Sequence, residues 1–132
     1  MPVTNNKKDP MQTLKLILVA LVAIEHLYIL VLEMFLWTTP RGRKAFGLTP
    51  EFAQASRALA ASQGLYNGFL AMGLLWSLSL STASFSTALQ IFFLTCIIVA
   101  AVFGAATARR SILFVQGAPA TAALAVVLAT RF

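Results

Sequence analysis

Apolar residues fall in long blocks separated by short polar punctuation, and the blocks define the elements. The first runs from Leu14 to Trp37, 24 positions, about 36 Å of helix at ~1.5 Å per residue, against a bilayer hydrocarbon core of roughly 30 Å. It exceeds the roughly 7–15 residues of a signal-peptide apolar region, and no small-residue cleavage site follows, so it reads as a retained helix. The first helix is predicted at about 11–37, with Pro10 in its first turn. Thr38-Thr39-Pro40 ends it, because the residue before proline avoids the α region, and a basic loop, Arg41 to Leu48, follows. Thr49-Pro50-Glu51 carries an N-cap hydroxyl, a proline at N1 and a first-turn acid, which predicts a second helix at 50–80. Its opening turns are polar enough for the membrane interface, leaving 59–80 as its apolar part. The hydroxyl-rich turn Ser81–Ser86 leads to a third helix at 87–108. After the tight connection Arg109-Arg110-Ser111, a fourth spans 112–130, where Pro119 predicts a kink. The expected architecture is an all-α membrane protein: a four-transmembrane-helix antiparallel bundle with short loops, one domain over 11–132, preceded by a disordered polar tail at 1–10.

Composition agrees with that class. Of 132 residues, 59% are hydrophobic and 11% charged, whereas soluble domains average about 25% charged residues. The net charge of +6 resembles a nucleic-acid footprint until the cations are located. Lys7, Lys8 and Lys15 precede or open the first apolar block, Arg41, Arg43, Lys44 and Arg57 follow it, Arg109 and Arg110 sit together, and Arg131 is near the end. Every cation flanks an apolar segment, where it meets lipid headgroups and sets orientation, so no nucleic-acid partner is expected. The two loops with Arg57 carry six cations and the terminal side four, which favours cytoplasmic loops at 38–50 and 109–111 in a multi-pass bacterial inner membrane protein. Cys96, alone inside an apolar block, can form no intramolecular disulfide and reads as a small hydrophobe. No cofactor is indicated.

Candidate chemistry concentrates in the first helix. Glu25 and Glu33 are two of only four acids in the chain, and His26 is its sole histidine. On insertion scales an acid at mid-membrane costs on the order of 3 kcal/mol, so such groups face a bundle interior and a partner. His26 and Glu33, seven apart, share one face, and Glu25 points about 80° from Glu33. On the second helix Gln63, Tyr66 and Asn67 share a face at i, i+3, i+4, and Gly64 and Gly68 form a small-xxx-small pair. The fourth helix adds Gln116 beside Gly117; the third adds Ala100, Gly104 and Ala108. The expected site is one buried polar cluster of Glu25, His26, Tyr28, Glu33, Gln63, Tyr66, Asn67 and Gln116, with Gly64, Gly68, Gly104 and Gly117 as packing positions. The plainer reading stands beside it: amides as interhelical glue, Tyr28 and Trp37 as interfacial aromatics, and the three ionisable groups as a structural polar network. One histidine and two glutamates could ligate a divalent ion, but no Glu-x-x-His spacing exists, and no metal site is assigned.

At these residues the chain resembles a family of small bacterial and fungal membrane proteins known as domain of unknown function 1304. The resemblance is carried by Glu25-His26-Leu27-Tyr28 with Glu33-Met34-Phe35, and by Pro40-Arg41-Gly42 with Phe46-Gly47-Leu48. It continues through Gln63-Gly64-Leu65-Tyr66-Asn67-Gly68, Gly104-Ala105-Ala106-Thr107 and Gln116-Gly117-Ala118-Pro119, so it covers all four helices. The family commonly has asparagine where this chain has Ser62. The resemblance implies a four-helix inner-membrane protein and transfers no activity. Three functions remain open on sequence: transport of protons or a small solute through the polar cluster, a non-catalytic membrane accessory subunit, and an acid–base enzyme acting on a lipid-soluble substrate. Beside the bilayer, the partners left room for are a second copy of the chain and a small lipophilic or polar ligand.

Overall fold

The computed structural model describes residues 9–131, and among them every regular element is helical. Helix α1 is Pro10–Met34, α2 Pro40–Phe46, α3 Pro50–Ala55, α4 Arg57–Ser79 and α5 Ala83–Thr107. A π-helical segment, Leu113–Gly117, runs directly into α6, Ala118–Ala129. The polar tail expected at 1–10, with Lys7 and Lys8, lies almost wholly outside the described residues. By length and composition α1 and α5 are long and apolar enough to cross a membrane, and Leu113–Ala129 is a shorter apolar helix.

Three prolines open three helices the same way. Asp9 caps α1, its carboxylate accepting from the Met11 amide at 3.0 Å. Thr39 caps α2 through the Gly42 amide and Thr49 caps α3 through the Phe52 amide. Each proline occupies the first turn, where a missing N–H costs nothing. The basic stretch expected to be a loop is therefore a short helix. It folds back on the end of α1: the Thr39 hydroxyl donates to the Leu36 carbonyl at 2.6 Å, and a side chain on Gly42 would collide with that same carbonyl.

The helix expected at 50–80 is divided at Ser56, whose φ/ψ of −98°/4° lies outside the α region. Its hydroxyl donates to the Phe52 carbonyl at 2.6 Å and accepts from the Trp37 indole N–H at 3.0 Å, so a side chain competes with the helical ladder at the break. Gly47 closes α2 at φ +66°, a left-handed conformation strained for residues with a Cβ. Gly47→Ala is expected to lower stability by about 1 kcal/mol, read from the unfolding midpoint in detergent. Near the fourth predicted helix, Pro119 has no N–H to donate to the carbonyl of Val115 four residues back. The backbone meets that gap with the π turn immediately upstream, where the i→i−4 ladder widens.

Helix α1 lies against α4 and α6, and α5 against α4, the π segment and α6. The apolar core formed between them is Val19, Val22 and Ala23 of α1, Leu74 of α4, Leu94 and Ile97 of α5, and Ala120, Ala123 and Val127 of α6. This core fills the half of α1 nearer its N-terminus. The buried stripe of α1 then continues through His26, Ile29, Leu32 and Glu33. Ionisable groups are thus stacked on the end of an apolar core along one helix face.

Candidate functional site

Spacing along α1 sets the site. Val19, Val22, His26, Ile29 and Glu33 recur every three or four residues, so the helix turns all five inward. His26 has no exposed surface and Glu33 only 8%. The two lie seven residues apart, about 10 Å along the axis at ~1.5 Å per residue.

Helix α4 meets this stripe with its smallest residues. Gly64 abuts the Glu33 Cβ and the Leu30 carbonyl, and Gly68 abuts the Leu30 side chain. That approach lets Asn67 reach across: its amide Nδ2 donates to Glu33 Oε1 at 2.5 Å and to the Gln63 carbonyl at 3.2 Å. Both N–H groups are engaged, one holding the amide on its own helix and one presented to the carboxyl of the neighbour. A side chain at Gly64 would push the helices apart and remove the pair.

His26 makes a different contact. Nδ1 lies 2.9 Å from the Val22 carbonyl, and because a carbonyl only accepts, Nδ1 carries the proton of the neutral ring. Nε2 is then an acceptor; it is buried and has no hydrogen-bond partner, and the same holds for Oε1 of the adjoining Glu25. Unpaired buried polar atoms are few in folded proteins and call for an explanation at each position. Two adjacent residues that both offer a buried acceptor suit a proton, a bound water or the donor group of a solute.

The other expected members are placed differently. Tyr66 is 61% exposed and stacks edge-on against Phe69. Tyr28, also exposed, lines a shallow hollow with Pro40, Arg41 and Lys44. The Gln63 side chain faces outward and only its backbone carbonyl takes part, through Asn67. Gln116 is half-buried in the π segment. The pattern i, i+3, i+4 of Gln63, Tyr66 and Asn67 spreads over a wide arc, and the buried seam of α4 follows Ala60, Gly64, Gly68 and Ala71 instead, so Asn67 alone borders it closely enough to cross. Gly117 packs on Ala101 of α5, while Gly104 meets Ile112 in the following turn.

A second buried polar group lies on α5, where the apolar pattern does not announce it. Gln90 of α5 is 1% exposed; its Nε2 donates to the Ser86 hydroxyl at 3.3 Å, and that hydroxyl donates to the Ser77 carbonyl of α4 at 2.7 Å. The available signal was one amide four residues after a serine in an otherwise apolar block. The chain ties the opening turns of α5 to the end of α4, and Gln90 Oε1 is left without a partner.

The family model described as Protein of unknown function (DUF1304) matches residues 20–128, a span holding Glu25, His26, Glu33, Asn67 and Gln90. The Uncharacterized protein YpaA of Lactococcus lactis subsp. lactis (strain IL1403) is 33% identical over 116 residues, covering 86% of this chain and 96% of its own length. No solved structure matches the chain.

Proposed function

We propose that this chain, which belongs to the DUF1304 family of proteins of unknown function, is a multi-pass plasma-membrane protein that moves protons or a small hydrogen-bond-donating solute. In this reading α1, α4, α5 and the π segment with α6 are four antiparallel spans, and the path runs past Glu33, Asn67 and His26. The basic turns around Arg41 to Lys44 and Arg109-Arg110 face the cytoplasm under the positive-inside rule.

The observation that carries the reading is the Glu33–Asn67 pair, which crosses the α1–α4 seam two helical turns beyond a histidine whose Nε2 is buried without a partner. Ionisable groups kept inside an apolar bundle are costly and mark ion or substrate paths and proton relays. Carboxyl and imidazole groups exchange protons, as a proton or solute path requires. Four helices enclose little space, so assembly of two or more copies is part of the proposal.

The test is proton and solute flux into vesicles reconstituted with the full chain, wild type against Glu33→Gln. Glutamine retains an acceptor for Asn67 and keeps the seam packed but carries no exchangeable carboxyl proton. The expected result is a proton flux above the leak of protein-free vesicles that returns to that leak in Glu33→Gln, with unchanged unfolding behaviour. Wild-type flux equal to the leak overturns transport and leaves the pair a packing device.

A further inference from the structure

We infer that a one-sided groove along α5 is a binding site for an anionic membrane lipid, with its phosphate at Lys15 and its acyl chains on α5; this rests on the membrane reading above but not on transport. The groove encloses about 1310 Å³, above the roughly 300–1,000 Å³ of small-molecule pockets. It follows α5 from Ser84 to Phe103, about 28 Å of helix at ~1.5 Å per residue, comparable with the hydrocarbon core of a bilayer.

The two ends differ in chemistry. At one, Gln12 and Lys15 of α1 meet Ser84 and Thr87 of α5, with Arg131 beyond α6. From there the wall turns apolar through Ile91, Phe92, Val99 and Phe103. Lys15 is half-buried, and its methylene stem can lie along the groove while the ammonium stays at the polar end. Donors and cations at one end with an aliphatic and aromatic trough behind them match a phosphate headgroup and its chains.

Charge selects the occupant. Among the described residues no carboxylate lines the groove, so none of them would hold the ammonium of a zwitterionic headgroup, while a net anionic lipid meets the Lys15 ammonium. The anionic lipid is the complementary partner.

The experiment is native mass spectrometry of the full chain extracted in mild detergent, offered equimolar phosphatidylglycerol and phosphatidylcholine with identical acyl chains. The first bound lipid is expected to be phosphatidylglycerol by about fivefold, the weight of one lysine or arginine near an anionic surface. Lys15→Gln should bring the ratio close to parity, and Ala88→Phe, which fills the groove floor, should reduce retention of both lipids. Arg57→Gln, removing the same charge away from the groove, should leave the ratio unchanged. Parity in the wild type, or an equal fall in Arg57→Gln, overturns the site. A chain recovered in the soluble fraction without detergent overturns it together with the membrane reading, whereas absent flux with intact lipid preference refutes transport alone.

Discussion

Gly64→Leu is expected to lower stability by about 3 kcal/mol, the upper end of ordinary overpacking costs, and to detach α4 from α1. A Cβ at this position would stand 2.6 Å from Met34 Cγ, 3.1 Å from Glu33 Cβ and 3.2 Å from the Leu30 carbonyl oxygen. The methionine can swing aside; the other two belong to the backbone, or to the first side-chain atom, of a long packed helix and cannot. Leucine therefore either separates the helices or rotates α4, and in both cases Asn67, three residues on, loses Glu33. Gly68→Ala makes the control. Its added methyl meets only the Leu30 side chain, whose nearest atom is a terminal methyl, and alanine gains up to about 1 kcal/mol of helix propensity over glycine. Its unfolding midpoint in detergent should stay near wild type while that of Gly64→Leu falls steeply. The reverse order would mean that the seam does not run over Gly64.

The same seam shows what can be read from the chain alone. Glycines four apart announce close helix approach, and ionisable residues inside an apolar block announce an inward face; both signals are local, and both lie in α1 and α4. Which amide of Gln63 and Asn67 crosses to Glu33 is decided by the rotation of α4 about its axis, fixed by where its glycines find room on α1. Sequence spacing gives relative angles within one helix and no rotation between two. The short helix α2 is a different case, because its signal is local and has two senses. Thr39-Pro40 carries the same capping hydroxyl and N1 proline as Thr49-Pro50. Read as the stop of one helix, it is equally the start of the next. The division at Ser56 was not legible, since it depends on the Trp37 indole arriving from nineteen residues away. Gln90 is illegible for a related reason: a lone amide in an apolar block gives no sign of whether it faces lipid or a neighbour, and only the Ser86–Ser77 link resolves it. The π turn was foreshadowed by Pro119 as a kink, although proline states only that a carbonyl is freed and the local packing decides how the backbone absorbs it.

Asn67→Leu is expected to cost about 2–3 kcal/mol, because it leaves the buried Glu33 carboxyl without its donor while filling nearly the same volume. Glu33→Leu should cost less, about 1 kcal/mol, since Asn67 is only partly buried and keeps the Gln63 carbonyl as an acceptor. The asymmetry follows from geometry: one partner has a second hydrogen bond and the other has none assigned to it. Replacing both by leucine should recover most of the loss, as removing an entire buried polar pair is often neutral where breaking it is not. A double-mutant cycle would then give a coupling of about 3 kcal/mol. Function should move in the opposite sense to stability. The double variant, folded and close to wild type in its unfolding midpoint, should conduct no more than protein-free vesicles, because the exchangeable carboxyl has gone. Should it conduct as the wild type does, Glu33 would be an element of packing, and the path would have to be sought at His26 and Glu25. If the two single variants lost equal stability, the Gln63 contact would contribute nothing and Asn67 would depend on Glu33 alone.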